Sequence, residues 1–134
     1  MRFVSFIRSE EPNPAGLPPP ELVQAVADLA QEMSVSGTLV DMGGLLPSSA
    51  GAVVSLVDGR ISAVDGPFTE AKELIGGFAI LDVRSREEAV ELARRMLRLH
   101  QQHWPGWEGS CEVRQLADAD HPHPGIPRPL ASEP

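Results

Sequence analysis

The chain is predicted to fold as an α+β sandwich, a ferredoxin-like arrangement enlarged by one β-hairpin. Three observations carry this expectation: two segments with apolar residues at helical spacing, a series of short strand-like runs, and an Asp-Gly turn between two of those runs. The elements follow the order β-α-β-β-β-β-α-β. Two helices cannot cover both faces of a sheet of five or six strands, so both are expected on one face. The opposite apolar face would then need a cover. A second copy of the chain is the expected one, making a homodimer.

Residues 2–8 read as the first strand, apolar on both faces except for Ser5, as befits a central strand. Residues 9–20 hold five prolines and a glycine and form a long loop. Residues 21–34 read as a helix, with Leu22, Val26, Leu29, Ala30 and Met33 in one stripe. Pro20 suits its first turn, where the missing N–H is no loss. Gly37 ends it. A second strand is expected over residues 38–46, interrupted by Gly43-Gly44, and a third over residues 51–57. Asp58-Gly59 is a two-residue hairpin turn, because a type I′ turn needs positive φ at both central positions. Residues 60–64 return as a short strand, and residues 77–83 form the next, nearly all apolar.

Ser85 and Glu88 make a capping box at the start of the second helix. That helix is expected to run to about residue 102, with Ala89, Leu92, Ala93, Met96, Leu97 and His100 facing inward. A turn-rich connector over residues 104–109 leads to a last, alternating strand at residues 110–116. One domain, residues 1–116, is therefore expected. Residues 117–134 form a proline-rich C-terminal tail without a periodic apolar face.

Composition excludes several functions. Eleven Lys and Arg against nineteen Asp and Glu give a net charge of -8, so the basic face of a nucleic-acid binder is not expected. No apolar run approaches the ~20 residues of a membrane span. The N-terminus lacks the pattern of a signal peptide, and a single cysteine, Cys111, fits a cytoplasmic protein. There is no glycine-rich phosphate loop and no serine nucleophile elbow, and no cofactor is expected. His100 and His103 stand three apart on the second helix and Cys111 follows, but nothing in their spacing enforces a metal site. Favourable placement of the two histidines at a helix C-terminus explains them better. Trp104 and Trp107 read as packing residues.

The chemistry concentrates in residues 65–78, where Asp65-Gly66-Pro67-Phe68 leads into Glu70, Lys72 and Glu73 and then Gly76-Gly77. Asp65 follows a strand and precedes a Gly-Pro turn. A carboxylate held there could act as a general base, or it could simply accept backbone N–H bonds within the turn. Glu70 and Glu73 share a face if the segment is helical, and with Lys72 they are candidate substrate-binding residues. Lys72 could hold an anionic group or pair with Asp65. The glycine pair permits a bulge or a close backbone approach.

Residues 65–73 followed by Gly76-Gly77-Phe78 resemble the hallmark of the YCII-related, or DGPF-domain, proteins. Gly43-Gly44-Leu45 with Pro47-Ser48, and Glu112 to Gln115 near the end, resemble that family too. The resemblance implies a dimeric α/β-barrel of ferredoxin-like subunits. It implies little about activity. Some members are encoded beside or fused to extracytoplasmic-type sigma factors, which points to a regulatory or partner-binding module. A few relatives in the wider superfamily are isomerases or dehydrohalogenases of small cyclic compounds, which points instead to a cleft near the motif, between the sheet and the first helix and bordered by Asp65 and Lys72, with proton-transfer chemistry. The shorter branch of the family carries a His–Asp pair. This chain has no histidine before His100, so only Asp65 of that pair is present.

Overall fold

In the computed structural model of the protein, residues 1–68 and 73–127 are described. The elements are β1 (Arg2–Ser9), α1 (Pro20–Val35), β2 (Leu39–Gly44), β3 (Ala52–Val57), β4 (Arg60–Asp65), β5 (Leu74–Asp82), α2 (Arg86–His103) and β6 (Ser110–Gln115). Four strands form one sheet in the order β2-β5-β1-β6, and every neighbouring pair is antiparallel. The fold is therefore α+β, with an order consistent with a ferredoxin-like arrangement. The sheet is open, with β2 and β6 at its edges. Among the described residues no helix is long and apolar enough to cross a membrane.

The expectation of a single five- or six-stranded sheet is corrected here. Strands β3 and β4 pair only with each other and make a separate hairpin. A single 3₁₀ turn at Ser48–Ala50, introduced by Pro47, redirects the chain between β2 and β3. The hairpin turn itself is as read: Asp58 and Gly59 have φ of 51° and 73°.

Local signals explain most boundaries. Helix α1 ends at Val35 with Ser36 as its C-cap, and Gly37 takes a φ of 78°. The Thr38 N–H then donates to the Met33 carbonyl at 2.9 Å and the Gly37 N–H to that of Ser34 at 3.1 Å, the paired bonds of a Schellman ending. At the start of α2 the Glu88 N–H donates to Ser85 Oγ at 3.1 Å. The Glu88 carboxylate reaches back one residue further than a capping box requires, accepting from the Arg84 N–H at 3.2 Å. Strand β5 begins earlier than the expected residue 77. Ile7 pairs with Gly77 and Arg8 with Ile75, so Gly76 is the extra residue of a bulge inside the strand rather than a break before it.

Both helices pack on one face. Phe3 and Leu81, opposite each other on β1 and β5, are buried with Val83 against Leu29 and Met33 of α1 and Ala89 of α2. Alternation places Val4, Phe6, Phe78 and Ile80 on the other face, where they are only half-buried.

The end of α2 carries an aromatic cluster. The His100 ring lies 4.5 Å from that of Trp107 and 6.1 Å from that of Trp104, centre to centre. The Trp104 indole N–H donates to the Ala15 carbonyl at 3.2 Å and so anchors the proline-rich loop. Burial holds the His100 imidazole below its ordinary pKa, against the smaller opposing effect of its bond to the Met96 carbonyl. The helix dipole does not win at this histidine. The neutral ring is native, while the unfolded chain takes up a proton near pH 6.5. Stability from this site is thus full above about pH 6.5 and is lost as the pH falls below it. Denaturant melts from pH 7.5 to 5 should show this loss, and a His100→Gln variant should flatten the slope. An unchanged slope would contradict the assignment.

Candidate functional site

Two concavities meet at the glycine-rich end of the sheet. The first lies between the sheet and the two helices and has a volume of about 330 Å³. Val26, Leu29 and Met33 of α1 and Leu92, Ala93 and Met96 of α2 form its roof. Its floor is the sheet, including Ile7, Ala79, Leu81 and the backbone of Gly43, Gly44, Gly76 and Gly77. The glycine pairs face each other across β2 and β5, Gly44 opposite Gly77 and Gly43 opposite Phe78. The Phe78 ring lies over Gly43, where a Cβ would come within 2.9 Å of it. That contact is on the face away from the helices; on the cavity face, with Ala79 and Leu81, the pair Gly44 and Gly77 leaves the floor without side chains.

Among the described residues, the polar side chains lining this cavity are Ser5 and Cys111, whose Oγ and Sγ lie 2.9 Å apart. Burial pushes the Cys111 thiol pKa up, and the Ser5 hydrogen bond offsets this only in part. The thiol therefore stays protonated near neutrality and is a poor nucleophile. A cavity of this size and lining suits a small apolar molecule with one hydrogen-bonding group. A charged ligand would be buried there without a counter-charge.

The second concavity, of about 630 Å³, lies beside the 48–51 turn and is lined by Arg8, Glu11, Ser48, Phe68 and Glu73 among more apolar neighbours. Gly44 borders both. The polar groups here are largely engaged with one another. The Ser48 N–H donates to Glu11 Oε1 at 2.6 Å, and the Ser48 hydroxyl donates to Glu11 Oε2. Ser48 Oγ accepts from the Phe68 N–H at 3.0 Å. The Gly66 N–H donates to the Gly51 carbonyl at 2.9 Å, and a Cβ on Gly66 would run into the Ser48 carbonyl oxygen. Arg8 is paired with Glu112 at 2.9 Å. Residues far apart in sequence thus clasp the Asp65-Gly66-Pro67-Phe68 turn to the turn at Ser48–Ala50.

A YCII-related domain model matches residues 1–101. The chain belongs to the YCII family. An uncharacterised protein of Rhizobium meliloti (strain 1021) is 35% identical over 82 residues, a match that covers 61% of this chain. The chain spans 62% of that relative's length. Strand β6 of this YCII protein lies beyond the matched residues, yet it pairs with β1 along its length.

The expected site residues are distributed as follows in the YCII chain. Asp65 ends β4, opposite Ala52, is exposed, and lines neither concavity. Glu73 lines the second one. Glu70 and Lys72 lie outside the described residues. His100 stacks on tryptophans and Cys111 pairs with Ser5, and among the described residues no three His, Cys, Asp or Glu side chains come together as metal ligands. The sequence reading placed a cleft between the sheet and the first helix, but it missed the apolar lining, the wall formed by α2 and the pairing of Glu11 with Ser48. Ser5 was the available signal for the lining, a lone hydroxyl in an apolar central strand. For the pairing, Glu11 sits within a proline-rich loop that has no periodicity to interpret.

Proposed function

We propose that this YCII protein is a homodimeric small-molecule binder, built from ferredoxin-like subunits that associate as a dimeric α/β-barrel, whose ligand occupies the cavity between helices and sheet. The ligand class is small, uncharged and largely apolar, with one group able to hydrogen-bond to Ser5. The carrying observation is the cavity of about 330 Å³ whose polar lining, among the described residues, is the Ser5–Cys111 pair alone. The half-buried face of Val4, Phe6, Phe78 and Ile80 supports the dimer.

The same lining favours binding over proton transfer. A general acid or base must lie within hydrogen-bond reach of the reacting proton. Asp65 lines neither concavity, and the Glu11 carboxylate already accepts two bonds from Ser48. A screen of uncharged apolar fragments and their carboxylate analogues, read by thermal shift and calorimetry, tests the reading. Uncharged members should bind and carboxylates should not. Filling the cavity with Ala79→Leu should weaken binding at least tenfold while the fold is kept, and Asp65→Asn should leave it unchanged. Binding that survives Ala79→Leu, or that fails with Asp65→Asn, would refute this placement of the ligand.

A further inference from the structure

The β3–β4 hairpin carries apolar side chains on both of its faces, one of which also holds Ser55, Arg60 and Ser62. Register puts Val54, Leu56 and Ile61 on one face and Val53, Val57 and Val64 on the other. All six are exposed, Leu56 at 70% and Ile61 at 76%. Both outer edges of the hairpin are unpaired among the described residues. An isolated two-stranded hairpin is marginally stable at best in water, and bare strand edges invite pairing with another chain. The arm is nonetheless held firmly at its base, where Gly66 packs against the Ser48 carbonyl and its N–H bonds to Gly51, while Ser48 also holds Phe68 and Glu11.

We propose that this hairpin is an arm gripped by a second copy of the chain, and that the Asp65-Gly66-Pro67-Phe68 turn, clasped to Ser48, fixes the direction in which the arm projects. The proposal rests on the homodimer reading above and adds the surface and the device that aims it. The six side chains expose on the order of 600 Å² per copy, most of the ~800 Å² a side that a stable interface buries. The chain also carries a matching surface, the half-buried sheet face of Val4, Phe6, Phe78 and Ile80. A self-complementary pair of surfaces closes with two-fold symmetry. The charges on the arm argue against an anionic lipid surface, since Asp58 and Asp65 outnumber Arg60.

Sedimentation of the full chain across micromolar concentrations tests this. Wild type should be dimeric. Leu56→Ser with Ile61→Ser should raise the dimer dissociation constant at least tenfold, with helical circular dichroism retained. Ser48→Ala leaves the apolar surface intact and should raise it at least threefold. Hydrogen exchange on wild type needs no variant: amide protection in β3 and β4 should fall on dilution through the dissociation constant. A wild-type dimer with unchanged constants in both variants, or with unprotected arm amides, would overturn the arm while leaving the dimer standing. A monomeric wild type would overturn the dimer reading itself. Vesicle binding by such a monomer would assign the arm to lipid and likewise overturn the proposal.

Discussion

Gly66→Ala is expected to cost about 3 kcal/mol of stability, at the upper end of what inserting one methyl group into a packed site does. The added Cβ would meet the backbone carbonyl of Ser48, not the end of a flexible side chain. The obstacle cannot swing aside. Either the 3₁₀ turn at Ser48–Ala50 moves as a unit, breaking the Gly66 N–H to Gly51 carbonyl bond, or the base of the hairpin does. Ser48 is buried and already bonded to Glu11 and Phe68, so moving it disturbs those bonds together. Urea unfolding of the two proteins checks this. By contrast, Asp65→Asn changes an exposed group and should stay within about 0.5 kcal/mol. A Gly66→Ala protein as stable as wild type would show that the clasp does not hold the turn.

Phe3→Ala is expected to cost about 3–5 kcal/mol, the range for removing a buried aromatic side chain. Phe3 is 2% exposed and sits where β1 meets both helices, among Leu29, Met33, Leu81, Val83 and Ala89. The helices cannot collapse onto the gap freely, because β1 is central and is paired on both sides. For a chain of this length that loss corresponds to a fall in melting temperature of roughly 10–20 °C. A fall of only a degree or two would mean that the core relaxes around the vacancy.

What the sequence disclosed depended on how local the controlling forces are. The apolar stripe of α1, the Ser85 cap of α2 and the Asp58-Gly59 turn are set within a few residues, and each forms much as read. The separation of the hairpin from the main sheet was not legible. Strand character in residues 52–57 says that they pair but not with which edge, and the 48–51 turn decides that. The glycine pair at Gly76-Gly77 announced an irregularity, and its placement inside β5 required the register with Ile7 and Arg8. The site was less legible than the fold. Charge drew attention to Asp65 and Glu73, whereas the helix–sheet cavity is defined by uncharged side chains from six elements and by side chains that glycines lack. The clasp joins Glu11, Ser48 and Phe68 across long loops, with no repeating spacing to reveal it.

The methionines offer a direct test of the cavity as a ligand site. Three of the chain's four methionines, Met33, Met42 and Met96, line it, and Met1 does not. With ¹³C-labelled methionine methyl groups, the NMR spectrum of the full chain should be titrated with the tightest uncharged apolar fragment found in the screen. The resonances of Met33, Met42 and Met96 should shift together and saturate with one dissociation constant, while that of Met1 stays in place. Saturable binding that leaves those three methyl groups unmoved would contradict the assignment of this cavity.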